Sequence, residues 1–455
     1  MKSAITRLPI LLGFIVGFMP AYTGAQSTAR LEPPPRGSFL GLQQAVETAL
    51  QSHPIVLEGN ASLQASSARV DQTKSLYYPQ VYANADGAAG AGRINPRFVT
   101  PAGAMLQPNL SSYTAGVLAS QRIYDFGYTN NLVDSSQSGV RAQEQDVNAR
   151  RALVIVNVQR SYLNSLKRQR LVRIAEETVR ERGTIVSQID TLYRQQLKSK
   201  LDLDLVRVEL VNAESLLVRS RNDLKASFAD LNRAMGIEGS EDYTLEDLSI
   251  EVKAQRQLND LIADSLAHPE VKRAKEATAA AEAKKRAMKS QYLPTISAIA
   301  SGGYFDTFDP NRVATTGGWW AAGGLVSMPL FTGGLIENQV KEAAAQEAAA
   351  FAQTANIEQA LTQQVTNAYL DTITFTQQIK LAEDLVKTAQ EALNLAKQRY
   401  KLGLGSIVEV TQSEVGLTAA QTKLAEAQYD YKIAEATLLY AAGGNAQLQL
   451  DPVIR

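Results

Sequence analysis

The chain contains no cysteine and only two histidines, His53 and His268. The first absence excludes a disulfide framework and a lipid-modified N-terminal Cys. The second leaves almost no material for a histidine or thiolate metal site. Neither sign of charge dominates, since 46 Lys and Arg face 46 Asp and Glu, so no global charge points to nucleic acid. After Ala25 there is no uncharged apolar run long enough for a membrane helix. A Ser-His-Asp set, a phosphate loop and a Gly-rich nucleotide fingerprint are also missing, which argues against an enzyme and against a cofactor.

The first 25 residues carry a different signal. Lys2 and Arg7 form a positive region, Leu8 through Phe18 a short apolar run, and Thr23-Gly24-Ala25 a small-residue cleavage site. This pattern predicts a cleaved secretory peptide over residues 1–25, because the run is too short to anchor the chain in a bilayer. The mature protein is therefore expected to leave the cytoplasm, with residues 26–40 as an N-terminal extension.

What the sequence does contain, it contains twice. His53, Lys74 and Pro79 recur as His268, Lys289 and Pro294, each 215 positions later. Further on the spacing becomes 207: Gly127 matches Gly334, Tyr162 matches Tyr369, Tyr193 matches Tyr400, and Gly236 matches Gly443. A unit of this size is too long for a solenoid repeat, so each half is a whole supersecondary module. The first repeat is assigned to residues 41–236 and the second to 259–443, with a connector at 237–258 and a tail at 444–455.

Most of each half has helical character. Ile379, Val386, Leu393 and Tyr400 are seven apart, with Ala382, Ala389 and Ala396 interleaved. Val172, Val179, Val186 and Tyr193 form the matching seam in the first half, where Arg182 is a break. Such heptads mean helices supercoiled around neighbours, with alanine allowing close approach. No proline interrupts Tyr128 to Tyr193 or Leu335 to Tyr400, and each run reaches roughly 100 Å as a helix. Helices of that length build a rod or a tube.

Between the helices, 79–124 and 294–331 carry few charges and many small and aromatic residues. Each reads as a hairpin of two strands of about ten residues, the length a tilted membrane strand needs. The expected loops are Arg93–Asn109 and Asp306–Thr316. Sparse charge and the pair Trp319-Trp320, where an aromatic girdle could sit, favour a membrane β-barrel over a soluble hairpin. Four strands cannot close a barrel, so several copies would have to share one.

Taken together, His53-Pro54 and His268-Pro269, the Tyr-x-Pro starts of the strand hairpins, and Tyr400-x-x-Gly403-x-x-Ser406-x-x-Glu409-Val410 make the chain resemble the TolC family of outer-membrane efflux ducts. The resemblance implies a mainly α chain with a membrane β part: a homotrimer with a long antiparallel coiled-coil tunnel in the periplasm and a shared twelve-stranded barrel in the outer-membrane lipid. It implies a mixed belt around the tunnel at Ile237–Arg256 and the tail after Gly444. It further implies a periplasmic adaptor (membrane fusion) protein and an inner-membrane transporter as partners. The expected function is a passive exit duct for small toxic compounds or, as in type I secretion, a polypeptide. A soluble periplasmic coiled-coil structural or adaptor protein is the alternative.

Function should concentrate at the helix turns, about 194–199 and 401–406. Gly403-Leu404-Gly405 is expected to make the second turn through positive φ, and Ser406 with Glu409 forms a capping-box pattern. Ser199 and Asp202 repeat that spacing, with Gln196 and Lys198 in place of the two glycines. Asp202 and Glu409 are then helix caps alone, or caps that also form a gate. In the gate the resemblance implies, acidic rings repel, and Tyr400 hydrogen-bonds Asp202 from a neighbouring hairpin. Gly405 and Gln412 stand where the family can carry an arginine and a second acid, which implies one acidic ring and a weaker latch. Leu197, Lys198, Gly403, Leu404, Gly405 and Ser406 are the expected adaptor-contacting residues. His53 and His268, each before a proline, are expected to start helices, and Tyr162 and Tyr369 to pack.

Overall fold

The computed structural model describes residues 39–89, 111–239, 242–248, 251–252, 256–308 and 315–443. The expected signal peptide, the loop Arg93–Asn109 and the tail after Gly444 lie outside them, as do parts of the N-terminal extension and the connector. In the first repeat, strand β1 (Phe39–Leu40) precedes helices α1 (Leu42–Ser52) and α2 (Pro54–Lys74). Strands β2 (Gln80–Ala89) and β3 (Ser111–Tyr124) then lead into α3 (Tyr128–Arg194) and α4 (Lys200–Met235). After β4 (Thr244–Leu245) the plan repeats as α5 (Leu258–Ser265), α6 (Pro269–Ser290), β5 (Thr295–Phe308), β6 (Thr315–Ser327), α7 (Leu335–Lys401) and α8 (Ile407–Ala441).

The two long helices are each 67 residues, so each spans roughly 100 Å. Their starts are set by Gly127 (φ +91°) and Gly334 (φ +86°), which turn the chain out of a strand. Gly139 and Gly183, the weak points of α3, face open space and do not break it. In the lower part the helices pack in the order α4–α3–α8–α7, and in the upper part α2–α3–α6–α7.

Both histidines do what the His-Pro spacing predicts. His53 and His268 are N-caps with Pro at the first helical position, and their Nδ1 atoms accept from Ile55 N and Glu270 N, both at 3.2 Å. Burial lowers both pKa values, which keeps the rings neutral and free to accept. Here each repeat closes on itself. Gly236 (φ +73°) sits so near His53 that a Cβ would lie 2.7 Å from its Cα, and Gly443 (φ +75°) approaches His268. Helix α2 thus stacks end to end above α4, and α6 above α8.

The strands form one antiparallel sheet in the order β2-β3-β5-β6. The second hairpin is longer than expected: β5 runs to Phe308 and β6 restarts at Thr315, so the ends of the expected loop Asp306–Thr316 belong to strands. Alternation along the strands divides the sheet into two faces. Cross-strand rows such as Val81–Ala119–Ala300–Ala322 make one face apolar, whereas rows such as Asp86–Thr114–Phe305–Gly317 place polar groups on the other. Trp320 shares the apolar row of Ala83, Val117 and Gly302; Trp319 shares the opposite row of Asn84, Gly116 and Gly303. Adjacent strand residues point to opposite sides, so the two indoles do not share one girdle.

The connector is bound through Tyr162, which is fully buried. Its hydroxyl donates to Leu40 O (2.9 Å), lies 3.2 Å from Glu246 O, and accepts from Glu246 N (3.0 Å). It fastens α3 to the parallel β1–β4 pair. Removing the hydroxyl leaves Leu40 O and Glu246 N only the longer bond they make to each other, at 3.3 Å. Tyr162→Phe should therefore destabilise the protein by about 1–3 kcal/mol, with faster hydrogen exchange at the Glu246 amide. Unchanged exchange there would show that the strand pair does not depend on this bond.

Candidate functional site

The lower ends of α3–α4 and α7–α8 form a tip of two helical hairpins around one apolar cluster. Ile189, Leu203, Val206, Leu393, Ala396, Ile407 and Val410 are buried in it, with Tyr400 packed against them. Both turns are Schellman motifs. Leu197 N donates to Leu192 O (2.9 Å) and Leu404 N to Arg399 O (2.8 Å). Gly403 takes the left-handed position (φ +73°), as expected, but Gly405 does not. In the first hairpin Gln196 occupies Gly403's place with φ +58°, a conformation uncommon for a residue with a side chain.

The two acidic caps diverge. Ser199 and Asp202 form a complete capping box: Ser199 Oγ accepts from Asp202 N (3.1 Å), and Asp202 Oδ2 accepts from Ser199 N (3.3 Å). Ser406 Oγ accepts from Glu409 N (3.3 Å), but the Glu409 carboxylate turns instead to Arg399 Nε at 3.4 Å. Gly405 makes room for that ion pair, since a Cβ there would meet Arg399 Cβ and Glu409 Oε2, each at 3.1 Å. So Gly405 serves space rather than backbone freedom.

The Asp202–Tyr400 hydrogen bond implied by the resemblance does not form within the protomer. Asp202 faces its own helix start, and the buried Tyr400 Oη has no hydrogen-bond partner there. The two hairpins meet instead through Lys198, whose Nζ lies 4.1 Å from the centroid of the Tyr400 ring. Lys198 is thereby half-buried, unlike Leu197 (65 % exposed) and Leu404 (69 %), which project from the turns. Ser406 and Gln412 are exposed on α8 and its cap.

Above the tip lies a charged layer. Arg182 is buried on α3, and its Nη1 donates to the Glu209 carbonyl (2.6 Å) and carboxylate (3.0 Å) on α4. Glu414, buried on α8, pairs with Lys397 of α7 at 3.3 Å. One charge thus comes from each helix, alternating in sign across α4, α3, α8 and α7. The break at Arg182 is therefore an ion-pair position. It has a signature in the repeat: Arg182 stands where the second half has Ala389, and Glu209 where it has Gly416. Asp190–Arg207 (3.3 Å) and Lys397–Glu414 occupy equivalent places with reversed signs.

Burial raises the pKa of Glu414, opposed by Lys397 and Arg182 and assisted by Glu181. Because the folded state holds this proton more tightly than the unfolded one, its stabilising contribution is complete below the unfolded carboxyl pKa. It is lost as pH rises through the folded value. Compared with Glu414→Gln, the wild type should lose tip stability as pH rises above the ordinary carboxylate range, and the variant should melt no lower at neutral pH. Parallel melting curves for the two proteins over that rise in pH would refute the assignment.

With this geometry in view, the comparisons are consistent with one another. The family profile described as "Outer membrane efflux protein" matches residues 45–237 and 263–444, one stretch per repeat. The chain is similar to the probable outer membrane lipoprotein SilC of Salmonella typhimurium, 22 % identical over 411 residues, covering 85 % of this chain and 84 % of the relative. It is 21 % identical over 455 residues to the outer membrane protein TolC of Escherichia coli K12, covering 96 % and 86 %. A crystal structure of CusC superposes with a TM-score of 0.75 at 21 % identity, covering 94 % of this chain and 98 % of that one.

Proposed function

Because the chain belongs to the outer membrane efflux protein family, we propose that three copies assemble into a passive exit duct, gated at its helical tip by a periplasmic adaptor and an inner-membrane pump. The observation that carries the duct is the sheet. It has one face that is apolar through its middle rows and two unpaired edges, β2 and β6, above helices of roughly 100 Å. Hydrocarbon tolerates no open edge, so the sheet must be completed by other copies, and its apolar face then meets lipid. The helices extend below into the periplasm. Nothing in the described residues forms a metal-ligand group of three or more His, Asp or Glu.

The gate reading rests on the tip. Asp202 retains a free carboxylate oxygen, whereas Arg399 partly neutralises Glu409. The exposed Leu197 and Leu404, beside Gly403 and Ser406, offer apolar tips to an adaptor.

Conductance in planar bilayers tests the duct. The wild type should give a small cation-selective conductance, and Asp202→Ala should reduce selectivity several-fold more than Glu409→Ala. A protein that never conducts and remains a soluble monomer would refute the duct itself. The faces of the sheet are tested separately, because Trp319 and Trp320 are the only tryptophans. Brominated lipid should quench the fluorescence of Trp319→Phe, which keeps Trp320, and leave Trp320→Phe largely unquenched. The reverse pattern would invert the sheet's inside and outside.

A further inference from the structure

The two hairpins of the tip are held together unevenly. At the charged layer, Arg182 of α3 still stabilises the Glu414 carboxylate of α8 across the boundary between them. Below that layer, every hydrogen bond and ion pair among the described residues stays inside one hairpin. Asp190–Arg207 (3.3 Å) and the Ser199–Asp202 box belong to the first, and Arg399–Glu409 (3.4 Å) to the second. Two attractions cross the boundary there: the apolar cluster around Leu203 and Leu393, and the Lys198 ammonium, 4.1 Å from the centroid of the Tyr400 ring.

The lysine is placed by fixed backbone on both sides. Gln196 holds the turn in the left-handed region (φ +58°), Leu197 N closes it on Leu192 O, and Ser199, the next residue, is locked in its capping box. The duplication supplies an internal comparison. At a spacing of 207, Lys198 matches Gly405 and Tyr400 matches Tyr193. Gly405 has no side chain to reach across, and Tyr193 is 37 % exposed, whereas Tyr400 packs against the cluster and buries an Oη that has no hydrogen-bond partner. The ring, not the hydroxyl, is therefore the part of Tyr400 that the first hairpin engages.

We infer that Lys198 is the clasp of the closed tip: its ammonium, seated over the Tyr400 ring, keeps the α7–α8 hairpin against α3–α4, and opening begins when that contact is lost. The inference rests on the gated-duct reading and names the residue that holds the gate within a protomer. An apolar cluster resists parting in proportion to the area it uncovers and has no preferred direction. A cation over a ring acts only within about 6 Å of the centroid, so hairpins that part by about 2 Å lose it first. The contact also stands at the far end of both hairpins, where a hinged movement is greatest. One such contact at a partly exposed site biases an equilibrium about two- to fivefold, so three copies opening together carry a bias of roughly tenfold to a hundredfold.

Two measurements on the full chain test the clasp. In planar bilayers Lys198→Met, which keeps an apolar stem and removes the charge, should raise open probability by roughly tenfold or more. Lys198→Arg, which returns a cation, should recover most of the closure. The same substitution to Met should act by the same factor in a Tyr400→Phe background, where the ring remains, and far less in Tyr400→Leu, where it is gone. Hydrogen exchange reads the clasp without conduction. Leu404 N, which closes the other turn on Arg399 O, should exchange several-fold faster in Lys198→Met, although Lys198 lies on the first hairpin. An equal rise in the Tyr400→Leu background would show that the lysine acts through the charge of the pore, and the clasp would be wrong. A conducting wild type with no change in conductance or in Leu404 exchange on Lys198→Met would remove the clasp and leave the duct. If the wild type never conducts, the duct falls, and Leu404 exchange alone decides whether Lys198 joins the hairpins.

Discussion

A strand edge in hydrocarbon must be paired, and much of this molecule follows from that requirement. The chain supplies four strands and leaves two edges open. Those edges continue downward. Strand β2 emerges from α2, which stacks on α4, and β6 leads into α7. Each side of the protomer is therefore one unbroken flank from the sheet to the tip. Below the sheet these flanks leave Leu385 of α7 and Val211 and Val218 of α4 exposed.

Inside the chain the two repeats join along β3 against β5 and along α3 against α8. The inner seams are free to become polar: α3 meets α8 through Thr178 and Thr418 and beside the buried Arg182 and Glu414. The outer flanks carry Leu385 and Val211 instead. Covalent continuity brings the inner seam together at no translational loss, whereas separate copies must overcome the entropy of association.

The helical plan was legible because it depends on local rules. Proline-free heptads delimited α3 and α7 to within a residue, and His-Pro marked the caps of α2 and α6, since both effects are written in consecutive residues. Tertiary partners were not legible. Arg182 looks like a flaw in its heptad until Glu209, on another helix, is seen to bind it. Glu409 matches a capping box, but Arg399, on another helix, takes its carboxylate. The facing of Trp319 and Trp320 follows from strand alternation, yet choosing which of them lies on the apolar side required the register across four strands. The length of β5 and β6 exceeded expectation because Asp306 and Thr316, turn-like by residue type, pair with each other across the hairpin.

At the tip, capping and gating are often posed as rivals, and the geometry separates them residue by residue. A carboxylate has two oxygens and about four acceptor positions. The capping box of Asp202 uses Oδ2 alone, so its charge and one oxygen remain available to a neighbour. Glu409 is differently placed: its Oε2 faces a guanidinium on its own hairpin, and the combined charge of that pair is near zero. Arg399 and Glu409 are both exposed, so solvent screening weakens the attraction without removing the neutralisation. The loss of glycine from the first turn and its retention in the second therefore have an electrostatic consequence. Gly405 admits Arg399 to Glu409, whereas Lys198, at the equivalent place, lies over Tyr400 and leaves Asp202 unneutralised. An acidic ring at this tip would consequently be built from Asp202.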